Sequence, residues 1–470
     1  MATFDFTQAA PSTTWVITHN LGAKSAIIDP IHDDGGTLKK ITPVSAVETD
    51  DNTITLTFGS AISGFVRLVS SGNAIIVSPV IVWTLDNPDY LSNGTLADTF
   101  GNAVAVNSTQ IAIGSRYEDR PGAIGTGVVH LYDITTGNKT ATITNPSVLP
   151  SVDNEFFGWN ISMDDNNIII AAPFSEATAG GGSIYVYDLT STGSPAQTIH
   201  NPSTTNTAGS DDFGNSLALF GDRLIVTAWY EQDSSGVYGG VAYIYNVSTG
   251  ALVHTLANPD TDIAEYDYFG NSCAITGTYA AVGTVYQEVG ANDESGVVYV
   301  FNVATGALVH TIENPTGIAL EWFGSSVSMT DSYIAVGSSY FDAESGAGRV
   351  YVFNTTTAAL LQTIENPSPV GSPDGDLFGN AVRINGTTII VGAHREDEAV
   401  DANAGKVYGF DATDGSLLWT VDNPGAFGTN VDDNFGEQLA MTNTHMVVGV
   451  PKEDDAGGAG AGKAFLYLLP

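Results

Sequence analysis

Cysteine is almost missing from this chain: Cys273 is the single one in 470 residues. No internal disulfide is available to the fold, and an oxidising compartment is not required. In its strand-like surroundings Cys273 reads as a small buried hydrophobe. Basic residues are scarce as well, with 14 Lys plus Arg against 52 Asp plus Glu and a formal charge of −38. That balance opposes nucleic acid and anionic membrane surfaces as partners. Long apolar runs are also lacking. The longest, Ala74 to Trp83, spans ten residues and contains Pro79, well short of the roughly 18 needed to cross a bilayer. The opening MATFDFTQAAPSTTW has no basic start and no apolar stretch of signal-peptide length, so neither a signal peptide nor a transmembrane segment is expected. What is present is a folding composition, 43% hydrophobic and 10% aromatic with 52 Gly, too apolar for disorder and rich in turns.

The strongest pattern is an internal repeat. A Phe-Gly pair recurs at Phe100-Gly101, Phe157-Gly158, Phe213-Gly214, Phe269-Gly270, Phe323-Gly324, Phe378-Gly379 and Phe435-Gly436, at intervals of 57, 56, 56, 54, 55 and 57 residues. Asn-Pro precedes each pair, at Asn87, Asn145, Asn201, Asn258, Asn314, Asn366 and Asn423. An acid lies two residues before every Phe: Asp98, Glu155, Asp211, Asp267, Glu321, Asp376 and Asp433. Sevenfold recurrence gives these acids a structural job in the turn that leads into the strand.

Within a unit the apolar residues follow the two-residue period of strands, never the 3.6 of a long helix. The fifth unit reads FGSSVSM, YIAVGSS, RVYVFNT and LLQTIENP, separated by turn residues. Four short antiparallel strands repeated radially make propeller blades, so the fold predicted for residues 81–470 is an all-β, seven-bladed β-propeller. The last unit stops at KAFLYLLP without a fourth strand, whereas Ile81 to Leu85 supplies such a strand before the first Phe-Gly. Pairing Ile81–Leu85 with Ala464–Leu468 is therefore expected to close the ring and remove an open sheet edge.

The seven Phe-Gly pairs resemble the FG-GAP repeats of integrin α-chain heads and of bacterial and phage proteins. So does the later small-residue position, read at Gly114-Ser115, Ala171-Ala172-Pro173, Thr227-Ala228, Gly283-Thr284, Gly337-Ser338, Gly392-Ala393 and Gly449-Val450-Pro451. In metal-binding members a calcium loop of the D-x-D-x-D-G kind lies between the two positions, because alternating oxygen ligands suit a hard cation. Here that place holds short turns such as residues 107–110 (NSTQ), 164–167 (DDNN), 221–223 (GDR) and 385–388 (NGTT). Integrin-style calcium sites are therefore not expected, and no cofactor is.

Acids gather instead between the second and third strands: Glu118 and Asp119; Glu288, Asp293 and Glu294; Glu396, Asp397, Glu398 and Asp401; Glu453, Asp454 and Asp455. They read as a solvated acidic surface, since no spacing was found to repeat among them. The competing reading is a set of weak cation sites at Glu396, Asp397, Asp401, Glu453, Asp454 and Asp455. The eight histidines sit in no metal or catalytic spacing, and no nucleophile elbow, Walker loop or Cys-His cluster appears, so no enzyme activity is expected. His254 and His310 occupy equivalent places in LVHTLANP and LVHTIENP and mark the outer strand. Trp159, Trp229, Tyr230, Tyr266, Tyr286, Trp322 and Tyr340 cluster near Phe-Gly or after the second strand. Packing between blades is the first reading of these aromatics and stacking on sugar rings the second. Trp229-Tyr230 breaks the small-residue pattern and is the candidate pair for ligand contact.

Residues 1–80 fall outside the period and read as a separate small β-sandwich or barrel. Its strand-like runs are Trp15–Thr18, Ser25–Ile28, Ile41–Val47, Thr53–Phe58 and Gly64–Val69. Trp15, His19-Asn20-Leu21-Gly22, the run Asp50 to Phe58 and Gly64-Phe65-Val66 resemble small β-domains of bacteriophage tail-fibre and other virion proteins. The resemblance implies a virion structural protein made in the host cytoplasm and present in several copies per particle. Residues 1–80 would join other virion proteins, and the propeller would bind a host-surface glycan or protein as a tail fibre or receptor-binding component. The alternatives are a capsid decoration, head fibre or tail-assembly protein without a receptor, and a bacterial surface adhesion protein.

Overall fold

The computed structural model describes residues 3–18, 26–34, 37–40, 45–50, 53–70, 78–88, 98–119, 124–146, 154–175, 181–203, 211–232, 237–260, 267–288, 294–340, 347–367, 375–397, 403–425, 432–453 and 461–470. In the N-terminal part the backbone forms β1 (Thr3–Thr18), β2 (Ala26–Asp34), β3 (Thr37–Lys40), β4 (Ser45–Asp50) and β5 (Thr53–Ser70). They make one sheet of order β1-β5-β2-β3, with β4 also paired to β5. Thr53–Phe58 and Gly64–Val69, read separately in the sequence, are two stretches of the single strand β5. The first pairs with β4 and the second with β2. The turn at Asn20-Leu21-Gly22 lies outside the described residues.

From residue 80 onward the chain forms seven four-stranded antiparallel sheets. In the fifth blade the strands are Phe323–Met329, Tyr333–Ser338, Arg349–Asn354 and Leu360–Glu365. Second and third strands are continuous runs of Val, Ile, Ala and Tyr, buried on both faces because each blade is sandwiched between two others; Ile168, Ile169 and Ile170 are all fully buried. The fourth strands alternate exposed and buried residues, as in Leu360–Glu365, because one face meets solvent. The last sheet takes its fourth strand, β6 (Val80–Asp86), from before the first Phe-Gly. Within that sheet Lys463 Nζ meets Asp86 Oδ1 at 2.8 Å.

The Phe-Gly pair is the joint between blades. Each of the seven phenylalanines is fully buried, a gain of roughly 2–3 kcal/mol apiece. Phe213, for example, lies among Ile169, Ala171 and Ile184 of the second blade and Tyr243 and Tyr245 of its own. Its N–H donates to Gly181 O across the joint at 3.3 Å, and the equivalent bond recurs at the other six, from Phe157 to Thr126 O at 3.1 Å to Phe435 to Ala404 O at 3.1 Å. The following glycine is required twice over. At Gly379, φ is +91° and a Cβ would stand 2.6 Å from the carbonyl oxygen of Arg349 in the preceding blade, so a side chain is opposed by both backbone conformation and contact.

Candidate functional site

The acids before Phe-Gly explain how the lead-in turn is held. The side-chain amide of each Asn-Pro asparagine donates to the acid that follows it: Asn87 to Asp98 at 3.0 Å, Asn201 to Asp211 at 2.8 Å, Asn258 to Asp267 at 3.4 Å and Asn314 to Glu321 at 2.6 Å. Asn366 reaches Asp376 at 2.9 Å and Asn423 reaches Asp433 at 2.9 Å, and Asn145 donates to Glu155 in the same way. The partner was legible in the sequence as the second sevenfold motif, although the pairing of the two motifs was not read from it.

Between the pinned acid and the buried Phe one residue is left, and its backbone is forced into the left-handed region. These residues are Thr99, Phe156, Asp212, Tyr268, Trp322, Leu377 and Asn434, with φ of 56°, 54°, 55°, 55°, 54°, 55° and 62°. The conformation costs roughly 1–2 kcal/mol for an ordinary L-residue. Glycine would avoid that cost and asparagine or aspartate would reduce it, yet only Asp212 and Asn434 take the cheaper option, so other side chains are retained at five positions against a backbone penalty.

Beside them in the first six blades stands the second residue after the small-residue position, Tyr117, Phe174, Tyr230, Tyr286, Tyr340 and Arg395, and Lys452 holds the equivalent place in the sequence of the seventh. The two positions are tied by the backbone, since Tyr117, Tyr230, Tyr340 and Arg395 donate their N–H groups to the carbonyls of Asp98, Asp211, Glu321 and Asp376 at 3.4, 3.4, 3.3 and 3.2 Å. Five blades thus present an aromatic ring here, and the sixth and seventh present exposed cations, Arg395 and Lys452.

The rings join into an arc over the third to fifth blades. Centroids are 5.6 Å apart for Tyr230–Tyr268, 5.2 Å for Tyr268–Tyr286, 5.8 Å for Tyr286–Trp322 and 4.7 Å for Trp322–Tyr340. Trp229 packs on Tyr268 with centroids 4.7 Å apart and ring planes tilted by 41°, and it donates from Nε1 to Asp212 Oδ2 at 2.9 Å. A second cluster, Tyr117, Phe156 and Phe174, spans the first two blades at 5.0 and 5.2 Å. The Arg116 guanidinium covers Trp159 at 4.6 Å there, within cation–π range. All these rings are half-buried, so they keep a free edge or face. Trp229, Tyr286 and Trp322 also line an axial channel of about 620 Å³ walled by the first strands of the blades. The aromatics therefore serve both packing and an open mouth.

Hydrogen-bonding groups at this mouth are left over. Arg116 Nε, Asp212 Oδ1, Trp322 Nε1, Ser325 Oγ and His394 Nδ1 are buried without a hydrogen-bond partner in the protein. Such groups are uncommon in native proteins and call for an explanation. Burial raises the Asp212 carboxyl to about 6 and lowers His394 to about 4, so near neutrality His394 is uncharged.

The acids between second and third strands correct the reading made from the sequence. Glu118, Glu396 and Glu453, read as part of a solvated surface, are buried, and so is Glu231, which the sequence reading did not single out. Each stands four residues after its small-residue position, Gly114, Thr227, Gly392 and Gly449, a repeat that shows only when counting starts from that position. Three of them meet a third-strand side chain twelve residues on. His130 Nε2 lies 3.1 Å from Glu118, Tyr243 Oη donates to Glu231 at 2.7 Å, and Tyr408 Oη and Lys406 Nζ donate to Glu396 at 2.7 and 2.9 Å. Gln287 fills the place in the fourth blade and donates to Tyr299 Oη at 2.6 Å. Burial pushes Glu231 up to about 7, and Asp98, desolvated and close to Glu118, also to about 7. Asp397 accepts the backbone N–H of Asn403 at 2.9 Å and so braces its own loop. Asp401, Asp454 and Asp455 lie outside the described residues. Among the described residues no three His, Cys, Asp or Glu side chains are grouped to hold a metal. His254 and His310 sit on fourth strands and bond to the turn carbonyls of Ala304 and Thr356 in the next blade.

The architecture is that of a seven-bladed β-propeller with four-stranded antiparallel blades. Residues 204–245, 259–301, 315–353 and 371–410, falling in the third to sixth units, match the FG-GAP repeat. The propeller thus carries FG-GAP repeats, and the first, second and seventh units share their Phe-Gly joint. No curated protein matches the chain. Among the described residues no helix is long and apolar enough to cross a membrane.

Proposed function

We propose that the propeller is a recognition module that binds a saccharide across the channel mouth. The aromatic arc would take the apolar faces of the sugar rings, and Arg116, Arg395 and Lys452 their acidic groups. The observation that carries this reading is that Trp322 Nε1 and Ser325 Oγ, which line the channel, are buried without a partner beside half-buried rings, as is Asp212 Oδ1 next to Trp229. Binding sites combine apolar walls with a few such groups. Strained side chains retained at five of the seven lead-in positions support the same conclusion.

We further propose the setting as a bacteriophage virion. Residues 1–80 would join the particle, and the propeller would act as a tail-fibre or receptor-binding component. The support for this setting is the resemblance carried by Trp15, Asn20-Leu21-Gly22 and the Asp50 to Phe58 run. The test is a glycan array probed with the full chain, followed by titration of the best ligand. Trp322→Ala and Tyr268→Ala are expected to weaken binding by about 2 kcal/mol, roughly thirtyfold, as for central aromatic anchors. Retained affinity in both variants would refute the face as the binding surface. Antibody labelling of particles in the electron microscope tests the setting separately: label at tail fibres supports the receptor reading, and label over the head supports decoration.

A further inference from the structure

The axial channel holds a second group that the saccharide reading does not use. Arg383 lies on the first strand of the sixth blade, Ala381–Asn385, and its side chain lines the channel. It is partly buried. Among the described residues its side chain makes one hydrogen bond, from Nη1 to the carbonyl of Val382 at 2.8 Å, and no ion pair. A guanidinium has five N–H donors in a fixed fork, so most of its capacity is uncommitted. A cation withdrawn from bulk water without a counter-charge costs stability.

The channel wall around it is already wired. Ser162 Oγ accepts the N–H of Leu219 at 3.1 Å, Ser326 Oγ that of Val382 at 2.9 Å, and Ser328 Oγ that of Ile384 at 3.1 Å. Ser216 Oγ takes the N–H of Cys273 at 3.2 Å. These serines spend acceptor capacity on linking neighbouring blades; Ser162, Ser326 and Ser328 keep their O–H groups as donors, whereas the Ser216 hydroxyl also contacts Cys273 Sγ at 3.3 Å. Two more donors lining the same channel, Trp322 Nε1 and Ser325 Oγ, are buried without a partner. The one carboxylate on the wall, Glu437, accepts from Asn434 at 3.1 Å. The channel thus carries one positive charge and several hydroxyl donors, beside the amides of Asn160, Asn215 and Asn271, whose N–H groups donate to the carbonyls of the next blade, inside a protein whose formal charge is −38.

We propose that this channel is an oxyanion site in which Arg383 grips a carboxylate or phosphate group in bidentate fashion, with wall hydroxyls such as that of Ser328, next to it across the blade joint, donating to the remaining oxygens. The geometry that matches a planar fork to two oxygens is specific to guanidinium. The site stands apart from the saccharide reading, because a free oxyanion satisfies the channel whether or not a sugar docks at the mouth. The acid group of a sugar bound there is the other source of the same chemistry.

The test uses the full chain at constant ionic strength made up with chloride. Phosphate and glucuronate are expected to raise the unfolding midpoint with concentration, as a ligand bound only by the native state must, while glucose leaves it unmoved. A rise with both anions supports a site for any oxyanion, and a rise with glucuronate alone assigns the site to a sugar acid. Arg383→Gln is expected to weaken the response about tenfold or more, and Arg383→Lys, which keeps the charge but loses the fork, to fall between. Equal responses in wild type and Arg383→Gln would overturn the proposal. A measurement free of any variant is anomalous diffraction from crystals of the wild-type chain soaked in selenate. A peak within hydrogen-bond reach of the Arg383 guanidinium supports the site, and peaks confined to the outer surface overturn it.

Discussion

Replacing single glycines by alanine separates the two demands that the blade joint makes on its backbone. Gly348, which leads into the third strand of the fifth blade, has φ of +80° and would place a Cβ 2.0 Å from the carbonyl oxygen of Phe378 in the sixth. The left-handed conformation alone costs roughly 1–2 kcal/mol for alanine. A contact so far inside van der Waals distance, against backbone that cannot swing away, adds roughly 1–3 kcal/mol as the blades are pushed apart. Gly348→Ala is thus expected to cost about 2–5 kcal/mol. Two controls isolate the parts. Gly221 has φ of +55° with nothing within 4 Å of its Cβ position, so Gly221→Ala is expected to cost about 1 kcal/mol. Gly193 has open space around it and no positive φ, so Gly193→Ala is expected to be neutral or to stabilise by about 0.5 kcal/mol through the unfolded chain. Urea unfolding followed by tryptophan fluorescence gives the three midpoints, and their order is the result that matters. If Gly348→Ala unfolds at the same urea concentration as Gly221→Ala, blade contact contributes nothing and the account of the joint fails.

Two further expectations rest on the buried acids. Asp98 and Glu231 are held near 7 by burial, so between about pH 4 and 7 the native state binds protons that the unfolded chain has released, and stability falls as pH rises through that window by on the order of 3 kcal/mol per group; a urea midpoint that is flat or rising from pH 5 to 8 would contradict it. For the asparagine clamp, Asn423→Ala removes the 2.9 Å bond to Asp433 and is expected to cost about 1–3 kcal/mol, with a double-mutant cycle against Asp433→Ala returning a coupling near 1 kcal/mol; zero coupling would show that the pair does not hold the turn.

The blades were legible because their signals are local and repeated seven times. A two-residue apolar period, turn residues and Phe-Gly recur often enough that chance is excluded, and the structure places one four-stranded sheet on each copy. What the sequence alone withheld are relations between copies. Gly348 means little until Phe378 is seen against it, and Asn423 and Asp433 look like two motifs rather than one bond. The buried glutamates were misread for a related reason. Glu396 sits in an acid-rich loop, where solvation is the ordinary expectation, but its carboxylate turns inward to Tyr408 and Lys406, a pairing twelve residues apart that the loop composition hides.

The same comparison of copies separates scaffold from face. Positions that make the joint hardly vary: Phe, Gly, the acid and the asparagine are kept in all seven units. The residue between acid and Phe is held in one backbone conformation by that joint, yet it is Thr, Phe, Asp, Tyr, Trp, Leu and Asn in turn. Its neighbour across the backbone bond runs through five aromatics and then Arg395 and Lys452. If these positions served only to close the turn, glycine or asparagine would fill most of them, since those residues carry the smallest penalty there. Variation at positions under such constraint, combined with identity in the surrounding joint, is what an asymmetric binding surface on a symmetric scaffold requires. The seven blades supply seven equivalent mounts, and the differences among the mounted side chains divide the mouth into an aromatic side and a cationic side.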